Sequence, residues 1–209
     1  MIQTFSEENL PALYDSIARK DKDLKAIIKE YGYPPLWIRP NSFETLVLTI
    51  LEQQVSLASA YSAYKKLKER TEITPEHFLL LSDEELRSCY LSRQKIVYTR
   101  ELARAIVSKK INLEQFEELP DEVVRKDLKA LKGIGDWTVD IYLLHALRRM
   151  DVFPIGDLAL VSAIKMVQLP AATKEDLIQL SSKWKPYRSI ATMLLWHYYI
   201  RKKNIKILH

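Results

Sequence analysis

The 209-residue chain has little cysteine and little glycine: one of the first, Cys89, and four of the second. A lone thiol excludes an intrachain disulfide and leaves no thiolate cluster to hold zinc or an iron–sulfur centre. The four histidines, His77, His145, His197 and His209, show no i, i+4 pairing or other ligand spacing, so each is assigned a structural or surface role. A transition-metal enzyme is therefore not expected. No stretch approaches the roughly eighteen apolar residues that span a membrane, and the opening MIQTFSEENL carries acids where a secretory signal needs a basic and then an apolar run. The expectation is an intracellular protein without a membrane partner.

Strand patterning is also scarce, because alternating β-branched residues bounded by turns hardly occur. What is present is helical periodicity. Helices are predicted over 8–18, 22–31, 43–51, 57–70, 93–106, 122–131, 137–149, 174–182 and 187–201, with short ones after Thr74 and Ser82 and another opening at Asp157. Ser42, Ser92 and Thr173 precede three of them as caps, and Pro120 and Pro186 open two more. The fold class read from this pattern is all-α.

The net charge of +5 is compatible with a polyanionic partner but does not by itself name one. The glycines say more. Three of the four, Gly133, Gly135 and Gly156, fall within Leu131–Ile164, LKGIGDWTVDIYLLHALRRMDVFPIGDLALVSAI. Glycine supplies left-handed backbone or close approach, so such clustering marks a backbone-specific device. Helix, Leu131-Lys132-Gly133-Ile134-Gly135, helix is the pattern of a helix-hairpin-helix, whose bare amides and following helix start offer a phosphate site. A short connection between packed helices has the same form. Asp157 can act as a helix N-cap or as a chemically active acid, and both roles are compatible. After the apolar run Phe43–Leu51 come Glu52-Gln53-Gln54, either a solvated exit or side chains presented to a ligand.

From Phe43 onward the chain resembles the helix-hairpin-helix (HhH-GPD) DNA glycosylases, and most of all the 3-methyladenine DNA glycosylase II branch. The matching pieces are FETLVLTILEQQVS, LKGIGDWT, DVFPIGDLAL and WKPYRSIATMLLW, in the family's order. The resemblance implies a single glycosylase unit over 1–209, with the hairpin in a lobe of residues 42–150 and a second lobe of 1–41 with 151–209. In that fold the active site lies in the cleft between the lobes. It is a compact form, since only about forty residues precede Phe43 where the bacterial type enzyme has an extra N-terminal domain.

By the same resemblance Asp157 is the catalytic acid, hydrolysing the N-glycosidic bond of an alkylated purine such as 3-methyladenine or 7-methylguanine. Its carboxylate would stabilise an oxocarbenium-like transition state and orient the attacking water. Bifunctional relatives carry lysine two residues after the second hairpin glycine. Trp137 stands there and cannot form an imine, so the implied enzyme is monofunctional and leaves the strand intact. Trp137 and Trp196 match aromatic base-pocket positions, where a cationic base would meet electron-rich rings. Two pocket tyrosines of the type enzyme are replaced by Ile141 and Leu158.

Gln53 and Gln54 match the minor-groove plug that fills the gap left by a flipped base, with Gln54 inserted. Lys132, Gly133, Ile134 and Gly135 form the phosphate-binding hairpin, and Lys165 and Arg188 are candidate backbone contacts. The carbonyls of Lys129, Leu131 and Ile134 are candidate ligands for a structural Na+ or K+, with no cofactor required. The partner implied is double-stranded DNA containing damaged bases, bound by a monomer, in the cytoplasm with the nucleoid of a prokaryote or in the nucleus of a eukaryote. Rival readings are a glycosylase for deaminated or oxidised bases and a non-catalytic DNA-binding module.

Overall fold

The computed structural model describes residues 2–205, so the His209 assignment lies outside the described residues. Among the described residues twelve α-helices follow one another: α1 (Leu10–Lys20), α2 (Lys22–Tyr31), α3 (Phe43–Glu52), α4 (Leu57–Arg70), α5 (Pro75–Leu80), α6 (Asp83–Ser88), α7 (Arg93–Val107), α8 (Asp121–Lys129), α9 (Asp136–His145), α10 (Leu158–Met166), α11 (Lys174–Ser182) and α12 (Arg188–Lys202). Among the described residues the only extended pairing is an isolated bridge between Thr4 and Arg149.

The helix starts follow local chemistry. Ser42, Ser56, Thr74 and Ser92 each accept the amide three residues on, while Ser82 with Glu85 and Thr173 with Asp176 close full capping boxes. Each bond satisfies an amide that the helix itself leaves unpaired. One end differs from the sequence pattern. The helix predicted to reach Arg149 stops at His145, because Arg148 adopts a left-handed φ of 54° and the Arg149 amide turns back to the Leu143 carbonyl at 3.0 Å. The returning amide satisfies one of the carbonyls that the helix end leaves open.

Two compact units emerge. One runs from Arg39 to Tyr142 and holds α3 to α8 and most of α9. In it α3, buried at every position but Glu44, packs against α4 and α7, and α7 also packs on α5 and α6. The other joins the N-terminal segment up to Ile38 to the chain from Leu143 onward. Here α12, buried from Ser189 to His197, packs on α10, α1 and α2. Residues 143–150, which the sequence groups with the hairpin-bearing lobe, cluster with the N-terminal segment instead. Backbone bonds explain this, since Phe5 donates to the Arg148 carbonyl at 2.9 Å and Met150 to that of Gln3 at 3.1 Å.

Candidate active site

The hairpin lies in the first unit, between α8 and α9. Gly133 is its pivot, with φ +85° and the ring of Tyr98 so close that a Cβ would fall 2.1 Å from Cγ. A side chain is thus excluded by both backbone and packing. Gly135 lacks a left-handed φ, has open space around its Cα, and accepts the Val139 amide at 3.1 Å as the first bond of α9. The two glycines divide the work: Gly133 turns the chain and Gly135 starts the helix.

Around the turn, buried Ile134 donates to the Leu131 carbonyl at 3.2 Å, and the Lys132 amide donates to Glu101 Oε1 at 3.3 Å. Lys129 pairs with Asp136 across the hairpin at 2.5 Å, and Arg125 pairs with buried Asp140 between α8 and α9. Tyr98 and Glu101 reach the turn from α7. Their spacing of three places them on one helix face, but no sequence signal ties that face to the hairpin.

In the same unit the two glutamines separate. Gln53 Nε2 donates to the Gly133 carbonyl and to Thr138 Oγ1, both at 2.9 Å, so this side chain braces the hairpin. Gln54 is exposed, with a left-handed φ of 57°. The α3 C-terminus behind them is clamped. Arg39 forks onto Glu52 at 2.7 and 2.9 Å, and Lys95 Nζ donates to the Leu51 carbonyl at 2.6 Å. Partial burial pushes the Lys95 pKa below the usual lysine value, since the ammonium loses hydration.

Asp157 belongs to the second unit. A turn closed by its own amide on the Pro154 carbonyl, at 2.8 Å, delivers it to the N-cap of α10. Its Oδ1 accepts the Leu160 amide at 2.8 Å and the Trp196 indole N–H at 2.9 Å, and the residue is 9% exposed. The N-cap role expected of Asp157 is thus filled. Trp196, expected against the base, is 8% exposed, binds Asp157 through its N–H, and has one face stacked on His145, with ring centroids 5.5 Å apart and planes 7° apart. His145 Nδ1 in turn lies 2.7 Å from the Trp37 carbonyl.

Other assigned residues fare differently. Arg188, a candidate DNA contact, is occupied within its own unit. Its Nε and Nη2 grip the Asp151 carboxylate at 2.7 and 2.9 Å, and Nη2 also reaches the Asp151 carbonyl at 3.0 Å. This guanidinium fork, held by one carboxylate, clamps the start of α12 to the link before Asp157. Lys165 is exposed on α10. Trp137 is partly exposed near the start of α9, Ile141 is core, and Leu158, directly after the acid, is 83% exposed. Among the described residues no group of three His, Cys, Asp or Glu side chains is arranged to hold a metal.

The hairpin, the aspartate at the helix mouth and the order joining them match one family model over residues 47–186, the HhH-GPD superfamily base excision DNA repair proteins. The chain belongs to that superfamily. Among HhH-GPD relatives, DNA-3-methyladenine glycosylase 1 of Schizosaccharomyces pombe is 30% identical over 190 residues, 84% of this chain and 82% of its own length. A DNA-3-methyladenine glycosylase of Bacillus subtilis is 29% identical over 91% of this chain and 67% of its own length. A solved structure of the Schizosaccharomyces pombe 3-methyladenine DNA glycosylase in complex with abasic DNA superposes with a TM-score of 0.83 at 27% identity, covering 92% of this chain and 97% of that one.

Proposed function

We propose that the chain is a monofunctional DNA glycosylase of base excision repair that removes alkylated purines of the 3-methyladenine and 7-methylguanine type from duplex DNA. The observation that carries this is the fixed Asp157 carboxylate, held by the Leu160 amide and the Trp196 indole at the mouth of α10 in an HhH-GPD chain. Relatives named 3-methyladenine glycosylases, one of them solved on abasic DNA, support the lesion class.

The chemistry follows from the residues. The damaged nucleotide leaves the stack at a cost of a few kcal/mol, and exposed Gln54 fills the gap while its amide bonds the orphaned base. The amides of Gly133 and Gly135 receive a backbone phosphate, with the Lys132 ammonium and exposed Lys165 as further contacts. The Trp137 face attracts the cationic base. The glycosidic C–N bond then breaks with its electron pair leaving on the base, which departs as a neutral purine and needs no general acid. Asp157 stabilises the cation developing at C1′, and water adds there, losing its proton to solvent or to the carboxylate. Tryptophan in place of lysine at 137 keeps the strand unbroken.

The carbonyls of Lys129, Leu131 and Ile134 offer neutral oxygens of the kind that suit a hard monovalent ion, which would rigidify the hairpin. Assaying a panel of single-lesion duplexes tests the reading. Release of 3-methyladenine or 7-methylguanine without strand cleavage before alkali is the expected result, and borohydride trapping of a covalent adduct would overturn the monofunctional assignment.

A further inference from the structure

We propose that His145 is a positioning residue for the Asp157 carboxylate, acting through the stacked indole of Trp196. The inference rests on Asp157 being the catalytic acid. Two donors converge on Asp157 Oδ1, and they differ in kind. The Leu160 amide is the bond any aspartate makes at a helix N-cap. The Trp196 N–H is a side-chain donor, and its direction lies in the indole plane, so the tilt of that plane decides where Oδ1 can sit.

His145 sets the tilt. Its ring is nearly coplanar with the indole, at 7°, with centroids 5.5 Å apart, an offset stack that resists rotation of Trp196 about its second torsion. The imidazole is itself anchored, because Nδ1 lies 2.7 Å from the Trp37 carbonyl. A carbonyl oxygen only accepts, so Nδ1 carries the proton in this contact. All four groups, Trp37, His145, Trp196 and Asp157, belong to one unit and form a chain from backbone to carboxylate. Placement of the carboxylate matters here because an ångström of misplacement at a reacting centre costs about a hundredfold in rate.

The test compares affinities for two duplexes that differ at one nucleotide. One carries a neutral tetrahydrofuran abasic analogue, the other a pyrrolidine whose ring nitrogen is cationic and mimics the developing charge. The native protein is expected to prefer the cationic duplex. His145→Ala is expected to reduce that preference about tenfold and kcat for excision of 7-methylguanine by roughly ten- to a hundredfold, with KM and affinity for the neutral duplex within about twofold. His145→Phe, which restores a stacking ring, recovers most of the lost kcat. Adding His145→Ala to Asp157→Asn lowers the preference no further than Asp157→Asn alone.

Unchanged preference and kcat in His145→Ala would overturn the proposal. So would equal weakening toward both duplexes, which marks a general loss of structure. If Asp157→Asn itself retained excision and preference, the catalytic reading of Asp157 would fail and this inference with it, an outcome distinct from a failure confined to His145.

Discussion

Asp157 caps α10 and is proposed as the catalytic acid, and one substitution separates the two roles. Asparagine caps a helix as well as aspartate, so Asp157→Asn is expected to change unfolding free energy by less than about 0.5 kcal/mol in urea titration. Excision, which needs the charge, falls by roughly a hundred- to a thousandfold in single-turnover assays. The hairpin glycines separate in a similar way. Gly133→Ala meets the Tyr98 ring and a left-handed backbone, and a loss of about 3 kcal/mol or more is expected in thermal denaturation. Gly135→Ala meets open space, and stability stays within about 1 kcal/mol while DNA affinity drops, since a methyl group intrudes where the phosphate docks.

Tyr14, 1% exposed, has its phenol pKa pushed well above the ordinary value by burial. Above about pH 10 the unfolded chain releases that proton and the folded one keeps it, so stability falls with rising pH by up to about 1.4 kcal/mol per unit. Tyr14→Phe should flatten this alkaline decline in denaturation at pH 10 to 12. At this scale the sequence carried Asp157 and Gly133 but not His145. The stack on Trp196 joins residues far apart in the chain, and a lone histidine on a mostly apolar helix has no local signal.

The helices were largely legible because their caps and periods are local. Ser42, Ser82, Ser92 and Thr173 sit three residues before the amides they satisfy. The end of α9 was not legible, since its stop depends on Arg148 entering a conformation that sequence associates with glycine or asparagine. Nor was the partition of function between elements. Arg188 and Lys165 look equivalent as cations, yet one closes on Asp151 and the other is exposed. Arg188→Ala is expected to cost about 1–2 kcal/mol of stability and leave the salt dependence of DNA binding unchanged. Lys165→Ala should cost no stability and reduce the slope of log K against log salt by about one. Fluorescence anisotropy across a salt series distinguishes them.

For the whole molecule, the net charge of +5 overstates the basic surface available to DNA. On α4, Lys66, Lys68 and Arg70 are paired with Glu69, Glu44 and Glu85, so three of that helix's four cations are offset by carboxylates. Family and fold class were readable from ordered motifs, whereas unit boundaries were not, because backbone bonds from Gln3 and Phe5 draw residues 143–150 to the N-terminal segment. Gln53 bonds the Gly133 carbonyl and Thr138 together, so the loop bearing Gln54 and the hairpin turn form a single gauge of fixed length. Under the roles proposed for the hairpin and Gln54, a phosphate seated at one end would leave the other end able to probe only one step along the duplex, so that the nucleotide opened is chosen by ruler before its chemistry is inspected.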